Sequence, residues 1–211
     1  MAELTALLEM SAARHTHLCP RQVIGVRMGL AGAAHLGIEA PVSSKRMLVI
    51  IETDGCFADG IEVSSGCTMG HRTLRVEDYG KVAATFIDLR SEQAVRLAPR
   101  PGIRQRAFTY TPGETRRYFA QLQGYQMMPI EELFDIQPVS LRVPLAEIMS
   151  RPGLRVDCAL CGEEIINERE VRAHGMVLCR ACAGEAYYTQ QDMKYGIPVP
   201  VFSYEELNEM W

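Results

Sequence analysis

Residues 20–37 read PRQVIGVRMGLAGAAHLG, and this stretch sets the terms of the fold. Pro20 suits the first position of a helix, where its missing N–H would be unbonded anyway. Gly37 marks the end as a C′ residue. Between them lie Gly25, Gly29, Gly32, Ala33 and Ala34. Gly25 and Gly29 are four apart, as are Gly29 and Ala33, so they line one side of the helix. Each helical glycine costs roughly 1 kcal/mol against alanine. Close approach of another backbone is the compensation this spacing predicts.

Working outward, residues 3–13 form a shorter helix with Leu4, Leu7 and Leu8 on one face. Residues 46–53 (RMLVIIET) are a buried strand, after which Cys56 runs out into a loop. Residues 58–64 have the length of one or two helical turns. Three later runs, 73–77, 81–88 and 94–97, read as an antiparallel meander, with turns at Asp78-Tyr79-Gly80 and Ser91-Glu92. A polar helix follows over 113–122 and a turn over 129–134. Residues 139–149 are extended or mixed, interrupted by Pro144. Arg151-Pro152-Gly153 is the expected boundary between a core of residues 1–150 and a unit of residues 151–211. The tail from residue 197 (IPVPVF), with two prolines, suits a surface strap.

Composition narrows the classes. The chain has 211 residues, 47% hydrophobic and 23% charged, with a formal charge of -4. These values exclude a disordered chain, a collagen repeat and a coiled-coil rod. An acidic chain is a poor general nucleic-acid binder. The decapeptide MAELTALLEM carries an acid where a secretory signal has a positive region. The run 23–38 is broken by Arg27 and His35 and is too short to span a bilayer. A cytoplasmic location without membrane contact is therefore expected. There, clustered cysteines point to metal or redox chemistry rather than disulfides.

Cysteine is the unusual residue, with seven copies. Cys158-Ala-Leu-Cys161 and Cys179-Arg-Ala-Cys182 are two C-x-x-C pairs with 17 residues between them. That is the pattern of a four-thiolate structural zinc site. A hairpin of residues 163–172 and 176–178 turns at His174-Gly175, and a helix over 180–190 opens on the second pair. Knuckle, hairpin and helix together describe a treble-clef finger. From residue 155 to 182 there are four arginines and five acids, and four thiolates with one Zn²⁺ add -2. Such a finger repels phosphate, so no nucleic-acid partner is expected.

The remaining three cysteines, Cys19, Cys56 and Cys67, lie with His15 and His17 in three glycine- or proline-punctuated junctions. Cys19 is the N-cap of the long helix, where the dipole favours thiolate. Each cysteine alone reads as a small buried hydrophobe. As a set they are candidate ligands of a second metal, or an activated thiol with imidazole bases. Asp59 is placed to hydrogen-bond an imidazole, or to act as an ordinary cap.

In order and spacing, HTHLCP (15–20), GVRM (25–28), ETDGCFADGI (52–61), SGCTMG (65–70) and DYGKVAATF (78–86) resemble the E-subunit family of formylmethanofuran dehydrogenase. The resemblance covers about residues 15–98, and the longer members carry the C-x-x-C finger. Arg21 stands where the family has glycine after Cys-Pro, and Thr16 where it has glycine between the histidines. The resemblance implies an α+β core, helices packed on a mixed or antiparallel sheet, a C-terminal treble-clef zinc finger and a homodimer. It places the conspicuous residues on His17, Cys19, Cys56 and Cys67, with Asp59 and Thr68 beside them. No ferredoxin cysteine run is present. The expected function is a zinc-binding enzyme or accessory subunit in one-carbon or molybdenum-linked redox metabolism. His17, Cys19, Cys56 and Asp59 are its candidate catalytic residues, acting on a small-molecule substrate. The alternative is a dimeric adaptor whose finger docks a protein partner.

Overall fold

The computed structural model describes residues 3–189. The tail from residue 197 lies outside them. The chain divides into two compact units, Met1–Arg142 and Val143–Trp211.

The first unit begins with helices α1 (Leu4–Ala12) and α2 (Pro20–His35). Strand β1 (Met47–Ile51), helix α3 (Cys56–Ser65) and strands β2 (Leu74–Val76), β3 (Ala84–Asp88) and β4 (Ala94–Pro99) follow. Short helices α4 (Ile103–Arg106) and a 3-10 turn (Ala107–Tyr110) lead to α5 (Arg117–Met127), α6 (Ile130–Leu133) and β5 (Phe134–Val139). The five strands form one sheet in the order β2-β1-β3-β4-β5.

The expected three-run meander is corrected by this order. β2 pairs parallel with β1, with Val49 opposite Leu74, and has β1 as its neighbour rather than β3. β3 takes the other edge of β1, antiparallel, with Val49 opposite Phe86. Burial explains the difference. Met47, Leu48, Val49 and Ile51 are wholly buried, so β1 must be covered on both faces and paired on both edges. A parallel neighbour needs a long crossover, and α3 supplies it. The residues of 81–83 are not strand: the Tyr79 and Lys81 N–H groups both donate to the Glu52 carbonyl, at 3.0 and 3.1 Å.

α3 is longer than expected because both its ends are glycine-punctuated. Gly55 has φ 74° and Gly66 caps it in the left-handed region at φ 75°. Cys56 is therefore the first residue of a helix, not a loop residue. The polar helix expected over 113–122 is α5, displaced toward the C-terminus: Gly113 has φ 92°, and Glu114 accepts the Arg116 N–H at 2.9 Å ahead of the helix start. β5, at the sheet edge, accommodates Pro138 because only β4 pairs with it.

α2 and α3 pack backbone to backbone. A Cβ on Gly25 would lie 3.0 Å from the Gly60 Cα, and one on Gly29 3.1 Å from the Ser64 Cβ. Matching positions rise together along both helices, so the two run parallel with their N-terminal ends at the same end of the unit. α5 joins them in the same direction. Tyr118, in its first turn, donates from Oη to the Leu18 carbonyl at 2.9 Å. At its far end the Arg27 guanidinium donates to the carbonyls of Tyr125 (2.7 Å), Gln126 (3.1 Å) and Met128 (2.5 Å), satisfying groups that a helix end leaves unpaired.

The second unit holds α7 (Leu145–Met149), which starts after Pro144, and two hairpins. β6 (Arg155–Asp157) pairs with β7 (Glu164–Ile166), and β8 (Val171–Ala173) with β9 (Met176–Leu178). Residues 163–172 are thus not one arm of a single hairpin. Asn167 and Glu168 both have positive φ, at 61° and 55°, and end β7. The β8–β9 turn falls at His174-Gly175, both left-handed. The helix expected over 180–190 is one turn, Ala181–Glu185. Gly184 turns at φ 92° and Ala186 is extended, while Gln190 lies outside the described residues. Among the described residues no helix is long and apolar enough to cross a membrane.

Candidate metal centre and thiol corner

Cys158, Cys161, Cys179 and Cys182 bring their sulfurs within 4.8 Å of one another. Two tight turns do this. Gly162, at φ 74°, lets its N–H reach the Cys158 carbonyl at 3.0 Å. The Ala159 N–H donates to the Val177 carbonyl at 2.8 Å, joining the first knuckle to β9, which delivers Cys179. Backbone amides point at the sulfurs: Cys179 N–H to Cys158 Sγ and Cys182 N–H to Cys179 Sγ, both 3.3 Å. Burial pushes the Cys158 thiol up, but the amides of Cys161, Cys179 and Leu160 outweigh it and hold it at about 6. Burial and the neighbouring sulfurs push Cys182 up. Four converging sulfurs of which one is already acidic form a donor set that a tetrahedral metal completes. Among the described residues this is the one such group of three or more His, Cys, Asp or Glu ligands.

The other candidate residues gather, in part, where α2 and α3 begin. Cys19 is the N-cap of α2, and its N–H donates to Gln22 Oε1 at 2.8 Å. Gln22 is fully buried and donates to the Ser11 carbonyl at 2.7 Å, which ties this corner to the end of α1. Cys56 opens α3, close enough to Cys19 for the two thiols to influence each other's ionisation. Burial first, and then the Cys19 sulfur, push the Cys56 thiol up. Both cysteines are half-buried. Tyr118 stands close enough for both sulfurs to raise its phenol, after burial.

One turn into α3, Asp59 lies 2.6 Å from His15 Nε2 and 3.5 Å from Arg14 Nη1. Arg14 also pairs with Glu62. His15 is thus oriented by a carboxylate at the rim of the corner. His17 is exposed, and its Nδ1 pairs with Thr16 Oγ1 at 3.1 Å.

Cys67 departs from the expected set. It is wholly buried, its thiol donates to the Met47 carbonyl at 3.3 Å, and burial pushes it up to about 11. The left-handed Gly66 aims it under β1, into the core. No three of His15, His17, Cys19, Cys56, Cys67 and Asp59 bring ligand atoms within 4.8 Å of each other in the described residues. Tyr118 joins the corner without any signal in the sequence: an aromatic in a polar helix far along the chain carries no local mark of proximity to Cys19.

The chain is thus a two-part protein: an α+β unit with a mixed five-stranded sheet, followed by a small unit whose four cysteine sulfurs are placed to hold a metal ion. A family model described as "FmdE, Molybdenum formylmethanofuran dehydrogenase operon" matches residues 14–135. The chain belongs to the FmdE family. A solved structure of similar fold is a tungsten formylmethanofuran dehydrogenase FmdE-like protein from Syntrophus aciditrophicus. It is 20% identical and superposes with a TM-score of 0.57, covering 89% of this chain and 96% of that one. A curated relative from Archaeoglobus fulgidus, a probable S-adenosyl-L-methionine-binding protein, is 28% identical over 88% of this chain. The match takes in 55% of that relative, so the chain spans about half its length.

Proposed function

We propose that this chain is an enzyme or accessory subunit of one-carbon or molybdenum-linked redox metabolism. The cysteine quartet holds a structural Zn²⁺, and the corner of Cys19, Cys56, His15, His17 and Asp59 is the working site. The chain acts in the cytoplasm as a homodimer. The observation that carries this reading is the juxtaposition of Cys19 and Cys56 at the shared N-terminal end of two parallel helices. Helix N-termini favour negative charge, so an anionic substrate group is stabilised there. Zinc is the default metal for a closed thiolate quartet, and it would fix the two knuckles and the hairpins of a unit too small to fold on apolar burial alone. Binding of S-adenosyl-L-methionine is not carried over from the Archaeoglobus relative, because the match leaves nearly half of that protein unaccounted for.

Elemental analysis of the purified protein, combined with mapping of thiol reactivity, tests this reading. The expected result is zinc that Cys158→Ser removes, and accessible thiols at Cys19 and Cys56. A second metal lost on Cys19→Ser but kept on Cys158→Ser makes the corner a metal centre. One zinc per chain with Cys19 and Cys56 both inert favours the alternative, a dimeric adaptor whose finger docks a protein partner.

A further inference from the structure

We infer that Cys19 and Cys56 form a reversible dithiol–disulfide couple, which accepts or donates two electrons in exchange with the disulfide or dithiol of a partner molecule. This rests on the reading of the corner as the working site and names its chemistry.

The two residues are far apart in sequence, but the α2–α3 backbone packing and the 2.6 Å Asp59–His15 contact bring their helix starts together, and the Cys19 sulfur acts on the Cys56 thiol. Each sits at the start of its helix, Cys19 as N-cap and Cys56 as first residue, where side chains project beyond the helix end. α2 and α3 are held in register by the Gly25–Gly60 contact, so the two cysteines stay side by side without a covalent link. A disulfide needs Cβ atoms about 4 Å apart and little backbone movement, and the glycine contact holds the two helix starts side by side. Both sulfurs are half-buried, open to exchange yet shielded from random oxidation. The other five cysteines are engaged elsewhere: four in the quartet, and Cys67 against the Met47 carbonyl. Asp59, Glu62, Arg14 and His15 ring the corner with both signs of charge.

The exchange balances in two steps. The Cys19 thiolate attacks one sulfur of a disulfide R–S–S–R. A Cys19–S–R bond forms, the R–S–S–R bond breaks, and R–S⁻ leaves to take a proton from solvent. Cys56 then loses its proton to solvent and attacks the Cys19 sulfur, displacing the second R–S⁻. The pair has lost two electrons and two protons, and the disulfide has become two R–SH. A dithiol partner runs the sequence backwards.

The test uses the full-length, zinc-loaded protein equilibrated with glutathione buffers of increasing oxidised fraction. Free thiols are then blocked with N-ethylmaleimide, and intact mass and peptide mapping are recorded. The expected product has lost two hydrogens, joins the Cys19 and Cys56 peptides, and returns to the dithiol on adding dithiothreitol. Cys19→Ser and Cys56→Ser each trap a glutathione adduct on the remaining cysteine. The wild-type measurement stands alone if a variant does not fold. Independent glutathione adducts on both cysteines of the wild type overturn the couple. A second metal in the reduced protein, lost in both serine variants and with no disulfide at any poise, overturns the couple and leaves the working-site reading intact. Two thiols inert to every reagent overturn both.

Discussion

Gly25 of α2 and Gly60 of α3 meet at their α-carbons: a Cβ added to Gly60 would lie 2.9 Å from the Gly25 Cα. This contact sets the separation of the two helices and, through it, the meeting of Cys19 and Cys56 at their N-terminal ends.

Gly25→Ala presses a methyl group onto the Phe57 carbonyl and the Gly60 backbone, which have no rotamer to move. Overpacking of this kind costs about 2–3 kcal/mol. Gly37→Ala meets open space at φ 64° and costs only the left-handed penalty, about 1 kcal/mol. Urea unfolding followed by circular dichroism gives this order. Equal effects would show that α2 and α3 can separate at no cost.

The Arg96 guanidinium clamps the buried Glu52 carboxylate through Nε (2.5 Å) and Nη2 (2.7 Å). Arg96→Ala leaves that carboxylate without its cation and destabilises the fold by about 3 kcal/mol. Glu52→Gln retains one acceptor and costs roughly half of that. Because the Glu52 carbonyl also holds the 79–81 loop, denaturation midpoints and proteolysis of that loop should change together.

Arg46 beside Asp88 holds its carboxyl below the usual carboxylate range, despite burial, with the Arg90 amide adding to the effect. A carboxylate depressed in the folded state contributes stability above its unfolded pKa. That stability is lost as pH falls through the depressed folded value. Asp88→Asn should therefore cost about 1–2 kcal/mol at neutral pH and almost nothing at strongly acidic pH. Melting temperatures of both proteins across the acid range would converge. Parallel curves would sink the assignment.

Chelation should release four thiols from the second unit and none from the first. Native protein treated with iodoacetamide at about pH 8, near the ordinary thiol range, should be modified at Cys19 and, more slowly because its thiol is pushed up, at Cys56. Cys67, pushed up to about 11 by burial, stays protonated and inaccessible. Protons compete for the quartet's thiolates, so metal release should rise as pH falls. Quantified peptide alkylation before and after chelation reads all seven cysteines at once.

Local chemistry in the chain specified a great deal. Pro20, Gly37 and the small-residue stripe marked α2 and its need for a close partner, because each of those signals acts through the residue's own backbone. The C-x-x-C pairs announced the quartet for the same reason: ligands on either side of a tight turn converge without help from the rest of the fold. The apolar run of β1 announced a buried strand. The pairing of the later strands is not legible in this way, since strand adjacency depends on which edge offers the better burial, and that is a property of the assembled sheet.

The thiol corner divides along the same line. Cys19 and Cys56 were legible as junction cysteines, and Asp59 as a residue within reach of an imidazole. Cys67 shared every one of those local features and belongs to the core. The sequence by itself determined which residues are capable of thiolate, ligand and capping chemistry, because that capacity lies in the side chain and its nearest backbone. Only the tertiary structure decided that Cys19 meets Cys56 beside Tyr118 while Cys67 turns under β1. Proximity between residues so distant along the chain is set by parallel helix packing and by the crossover through α3, and no local interaction encodes it.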